Sequence, residues 1–111
     1  MNFEQENKNG IEVIRITGNL VLTGVKEIKD QLKPIMENES YTNYIFNLSG
    51  VSMVDSSGIG FLVSSFNSLK KRGAELVFCG LNDTLQEIFK STHLHTIFKI
   101  EVSEEQALNS F

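Results

Sequence analysis

A chain of 111 residues with 41% hydrophobic and 22% charged side chains has a globular composition and can bury one core. Its formal net charge of -4 argues against nucleic acid as a partner, because holding a phosphate backbone needs a basic surface. No stretch approaches the roughly 18 apolar residues of a membrane span, no apolar leader of signal-peptide type is present, and the single cysteine, Cys79, has no internal disulfide partner. The expectation is one soluble cytoplasmic domain over residues 1–111, with no membrane and no nucleic-acid partner.

In chain order, residues 3–7 read as a weak edge strand, and Asn9-Gly10 as a hairpin turn. Residues 11–17 form a strand apolar on both faces, closed by Gly18 and Asn19. Thr23 is placed to cap a helix whose buried stripe is Val25, Ile28, Leu32 and Ile35, with Pro34 kinking or relaxing its last turns. Residues 44–48 form a third strand, leading through Ser49-Gly50 to the run Val54-Asp55-Ser56-Ser57-Gly58-Ile59-Gly60. A helix over 56–72 follows, ending in Lys70-Lys71-Arg72 and Gly73, which suits its C-terminal dipole and cap. Residues 75–80 form a fourth strand, and Cys79 within it reads as a buried, inert thiol. Asp83 with Gln86 reads as a capping box for a short helix, residues 97–102 as a fifth strand, and Ser103 with Gln106 as the cap of a terminal helix. This alternation predicts an α/β domain: a largely parallel sheet of about five strands, its N-terminal edge strand antiparallel, with about four helices. Sites in such sheets gather at the carboxyl ends of strands. Both the Asp55 run and the turn from Gly18 to Thr23 lie there.

The Asp55 run is the candidate site. Asp and Ser satisfy free N–H groups at a helix start, and the helix dipole favours negative charge there. Asp55, Ser56 and Gly58 therefore read as cap and motif residues, and the serines as cap, nucleophile or modification site. The spacing of Ile59, Leu62, Val63, Phe66 and Leu69 predicts one buried stripe. On that phase Ser57 points outward, Ser56 lies at the flank, and Phe61 shares the outward face with Ser57 near Ser64, Ser65 and Ser68. A large aromatic among small hydroxyls is a surface that a partner can approach closely. Packing of Phe61 on a neighbouring loop is the alternative.

Other chemistries find little support. Gly58-Ile59-Gly60 is half a dinucleotide fingerprint, with Val63 where the third glycine would fall. A nucleophile elbow needs glycine two residues before the serine, where Asp55 and Val54 stand. His93 and His95 lack companions at metal-ligand spacing and read as loop residues. Glu101, Glu104 and Glu105 read as strand-end and first-turn acids. No cofactor, metal or catalytic residue is expected.

Asp55-Ser56-Ser57-Gly58-Ile59-Gly60 after an apolar strand resembles the signature of the STAS domain, specifically of bacterial anti-sigma-factor antagonists. Ile16-Thr17-Gly18-Asn19-Leu20, Asn47-Leu48-Ser49-Gly50-Val51, Cys79-Gly80-Leu81, the stretch from Leu94 through Phe98-Lys99-Ile100, and the closing Glu-Glu-Gln-Ala-Leu extend the likeness over nearly the whole chain. The resemblance implies a binding module without catalytic activity, phosphorylated at Ser57 by an anti-sigma factor that is itself a serine protein kinase. In its unphosphorylated form such a module binds that factor and frees a sigma factor for transcription, and a PP2C-type phosphatase resets it. Partner contacts would involve Ser57, Phe61, Ser64, Ser68, Asn19 and Val21. Many members carry an acidic residue directly after the Gly-x-Leu turn, where this chain has Val21. The alternatives are an unphosphorylated STAS scaffold in a transport or signalling assembly and, more remotely, a small serine hydrolase.

Overall fold

The computed structural model describes residues 2–111. Its core element is one sheet in which five strands follow the chain order: β1 (Asn2–Lys8), β2 (Ile11–Leu20), β3 (Asn43–Val54), β4 (Glu75–Cys79) and β5 (Lys99–Glu101). β1 pairs antiparallel with β2, and all later neighbours are parallel. The hairpin between β1 and β2 needs two left-handed residues, and Asn9 and Gly10 supply them with φ of 54° and 86°. β2 and β3 run past the expected 11–17 and 44–48. Their carboxyl ends stay paired through Thr17↔Gly50, Gly18↔Val51 and Leu20↔Val54 across two register shifts. These irregular ends aim the turns where the candidate site lies.

Helices α1 (Leu22–Glu37), α2 (Ser56–Lys71) and α3 (Asp83–Ser91) bury their apolar sides in one cluster with Ile14, Ile16, Phe46, Leu48 and Phe78 of the sheet. On the other face, α4 (Glu104–Leu108) places Ala107 against Ile11, Val13, Ile45, Val77 and Cys79. Cys79 is fully buried, and burial pushes its thiol up to about 12, which keeps it protonated and unreactive at neutral pH.

Local signals mark most helix ends, with instructive exceptions. Ser103 accepts from Gln106 N–H at 3.2 Å, as the sequence implies. The cap of α3 is Asn82, one residue before the expected Asp83; its Oδ1 accepts from Leu85 N–H at 2.8 Å. Thr23 does not cap α1. Val21 is the N-cap, without a side-chain bond, and Thr23 lies exposed in the first turn. Pro34 sits inside α1, which continues to Glu37. β5 is shorter than residues 97–102 because Leu94–Thr96 form a 3-10 turn that brings Leu94 and Phe98 into the core. Arg72 does more than complement a dipole. Its guanidinium donates to Met36 O at 2.8 Å, Tyr41 O at 2.9 Å and Tyr44 Oη at 2.7 Å, which ties the end of α2 to the end of α1.

Glu104 is more than a first-turn acid. Its carboxylate accepts from Arg15 Nε at 2.8 Å, Arg15 Nη2 at 2.9 Å, Asn47 Nδ2 at 3.0 Å and Lys8 Nζ at 3.0 Å, so it pins α4 to three strands. The bond from Arg15 is the main cause that holds its pKa down to about 2, with Asn47 and Lys8 adding and burial opposing. A carboxylate lowered in this way stabilises the fold above its ordinary value of 4.5, and that contribution drains away as pH falls from 4.5 to about 2. We therefore expect Glu104→Gln to cost about 1–3 kcal/mol at pH 7. Urea melts should show the gap from the unsubstituted protein narrowing as pH falls through that window. A gap that stays constant with pH would mean that ionisation of Glu104 contributes nothing.

Candidate functional site

The start of α2 is built around Asp55. Its Oδ1 accepts from Gly58 N–H at 3.0 Å, which caps α2, and its Oδ2 accepts from Leu22 N–H at 3.2 Å, the first residue of α1. Its own N–H donates to Leu20 O at 3.1 Å. One residue thus joins the end of β2 and the starts of α1 and α2, and it supplies the side-chain cap that α1 lacks. Gly58 completes the junction by size. A Cβ there would meet Leu20 O at 2.1 Å and Val54 Cγ1 at 2.6 Å, so only glycine allows α2 to begin this close to β2.

This close approach sets the phase of α2, and the phase differs from the one expected. The buried residues are Gly58, Phe61, Leu62, Ser65 and Leu69, whereas Ile59, Val63 and Phe66 are only half-buried. The helix is turned by about a quarter of a revolution relative to the expected stripe. Phe61 is therefore not an exposed anchor. It is 6% exposed and stacks on Phe46 of the sheet, with ring centroids 6.4 Å apart and planes within 10°. Ser65, expected near the outer face, is buried as well. Ser56 is exposed and Ser57 half-buried, the reverse of their expected order. Small residues mark this phase: Gly58 and Ser65 carry little apolar signal, yet both are buried, Gly58 against Leu20 and Val54 of the sheet and Ser65 in the groove between α1 and α2.

Around this junction the structure brings together groups that the sequence pattern did not single out. Leu22 and Met53 are each 55% exposed, one bonded through its N–H to Asp55 and the other two residues before it. They are the exposed large apolar residues on the rim of this junction. Asn19 is exposed and Val21 half-buried in the adjoining turn. Ser64 and Ser68 are exposed and line a groove of about 380 Å³ between α1 and α2, with Phe61 contributing to its wall. The remaining sequence candidates lie elsewhere: His93 and His95 are exposed beyond α3, their rings 6.3 Å apart. Among the described residues, no three His, Cys, Asp or Glu side chains converge as metal ligands do. Among the described residues, no helix is long and apolar enough to cross a membrane.

The family model described as STAS domain matches residues 2–107. An anti-sigma-B factor antagonist of Staphylococcus aureus is 26% identical over 105 residues, covering 95% of this chain and 96% of that one. Among solved structures, an anti-sigma factor antagonist from Mycobacterium paratuberculosis has a TM-score of 0.88 at 16% identity, over 98% of this chain and 92% of that one. The Bacillus cell fate determinant SpoIIAA in its phosphorylated form has a TM-score of 0.74 at 23% identity, over 97% of each chain. At these identities the structural likeness is one of fold.

Three substitutions test the geometry. Asp55→Ala removes acceptors from two helix starts, so at about 1 kcal/mol for each cap it should lose about 2 kcal/mol. Asp55→Asn keeps one acceptor oxygen and should lose about half of that; equal losses for the two variants in urea melts would show that only one bond contributes. Phe61→Ala empties a stacked core position and should cost about 3–5 kcal/mol. A loss below about 1 kcal/mol would instead return Phe61 to the surface.

Proposed function

We propose that this chain, which belongs to the STAS domain family, acts as an anti-sigma factor antagonist: a binding module without catalysis of its own, gated by phosphorylation of Ser57. Its partner would be an anti-sigma factor with serine protein kinase activity, and a PP2C-type phosphatase would restore the binding form. The reading rests on resemblance for the identity of the partner and on one structural observation for the surface. Leu22 and Met53, two large apolar side chains, stand exposed beside a helix start held on both sides by Asp55. A rigid backbone with apolar side chains presented to solvent is the form of a protein interface core. Asn19 and Val21, with Ser64 and Ser68, would extend the contact along the turn and the groove.

The gating follows from magnitudes. A phosphate on Ser57 adds a charge of about -1.5 to -2 at pH 7. The dipole of α2 favours it by about 0.3–1 kcal/mol, and the carboxylate of Asp55 opposes it. These effects on the fold are small and opposite in sign. At an interface the same dianion must lose its water, a cost not recovered unless a cation meets it there. The fold therefore tolerates the charge, whereas docking through the Leu22–Met53 rim does not.

Incubation with the cognate kinase and ATP, followed by intact mass and phosphopeptide mapping, tests the acceptor. Ser57→Ala should abolish modification and Ser56→Ala should leave it largely intact; because Ser56 is the more exposed of the two, modification at Ser56 is the outcome that would refute the assignment. Ser57→Asp should melt like the unsubstituted protein yet bind the anti-sigma factor at least tenfold more weakly, about 1.4 kcal/mol by calorimetric titration. A collapsed melt would mean that charge acts by unfolding the domain.

A further inference from the structure

We infer that the open edge of β5 is a self-pairing surface, on which a second copy of this chain adds its own β5 in antiparallel register. The inference does not depend on the reading of Ser57. β5 is the last strand of the sheet, so its outer edge presents backbone N–H and C=O groups with no neighbouring strand. Its residues are Lys99, Ile100 and Glu101, whose inner-edge partners are Val77, Phe78 and Cys79. Two large apolar residues flank this strand in the open, Ile97 at 56% and Val102 at 82% exposure. Charges normally protect an edge from pairing. Here the two charges are of opposite sign and two residues apart, which puts them on the same face of the strand; Lys99 Nζ donates to Ser110 O at 2.6 Å within its own chain and exchanges that bond on pairing.

That spacing is self-complementary. With Ile100 opposite Ile100 of the second copy, Lys99 faces Glu101 of the second copy, and two-fold symmetry makes the same pair again. Shifting the register by two residues either way places Lys99 against Lys99 or Glu101 against Glu101, so one register is selected. The opposite face of the strand agrees with it. Val102 then stands across from Phe98 of the second copy, beside a groove of about 440 Å³ lined by Leu81, Phe89, Phe98, Ile100 and Val102. The two exposed valines would thus be covered at the joint. Antiparallel pairing also points the carboxyl ends of the two sheets in opposite directions. Both α2 starts then remain accessible, and the dimer offers two docking sites at once.

Sedimentation equilibrium of the full chain, from about 10 μM to about 1 mM, covers the range in which a small interface associates. We expect a reversible dimer. Glu101→Lys sets Lys99 against a lysine twice and should weaken it at least about tenfold. Lys99→Glu combined with Glu101→Lys restores opposite charges and should return the dissociation constant to within about threefold of the original. Circular dichroism melts of each variant verify that the monomer fold is kept. A monomer at every concentration would overturn the inference, including in favour of an edge reserved for another protein's strand. A dimer indifferent to Glu101→Lys, or one that the double substitution fails to rescue, would overturn it too.

Discussion

The carboxylate of Asp55 is the constraint on which the candidate site depends. Its two oxygens hold the first turn of α2 and the first residue of α1, while its backbone N–H is bonded to the end of β2. Each bond is worth about 1 kcal/mol, a modest fraction of the stability of a domain. Their importance lies in geometry. Three chain segments distant in sequence meet at one side chain, so the turn carrying Asn19 and Val21 cannot shift without disturbing the serines. A surface held in this way loses little conformational freedom on binding, which preserves affinity that a mobile loop would lose.

The second constraint is steric, and it acts through small residues. Gly58 lets α2 start against β2, and that contact rotates the helix until Phe61 faces Phe46. From there the aromatic packing continues through Phe78 to Phe98 and Phe89, with centroids 4.4 to 6.3 Å apart. The phase of α2, and hence which serine faces water, is therefore set by a backbone contact at its first turn and an aromatic stack one turn later. A larger residue at position 58 would disturb both together.

This explains what was legible in the sequence. Features with local causes were readable: the Asn9-Gly10 hairpin, the strand and helix alternation, the Ser103 cap, and Asp55 as a cap for α2. The phase of α2 was not, because two apolar stripes compete along it. The stripe that wins includes Gly58 and Ser65, which no hydrophobicity pattern counts. Thr23 and Asp83 failed as caps for a different reason: another side chain took the role, that of Asp55, 33 residues from Leu22, at α1 and that of the neighbouring Asn82 at α3. Glu104 with Arg15, 89 residues apart, and Arg72 with the end of α1 are likewise products of the tertiary fold. At the candidate site the identity of Asp55 and the two serines was readable. The apolar rim of Leu22 and Met53 was not, since both residues sit in stretches that look ready for burial.

The arrangement also separates the charges that hold the fold from the one that would regulate it. Glu104 is surrounded by donors, and its titration lies far below neutral pH. Both oxygens of Asp55 already accept bonds, so it has little capacity to rearrange around a new charge. At the start of α2, Gly58 N–H is bonded to the Asp55 side chain and Ile59 N–H to its carbonyl. The N–H groups of Ser56 and Ser57 remain as the unshared donors that any helix start leaves. A phosphate on Ser57, under the proposed gating, would meet these donors without displacing Asp55. The scaffold would then keep its geometry while the charge of its surface changes, and a partner docking on Leu22 and Met53 would respond to that charge alone.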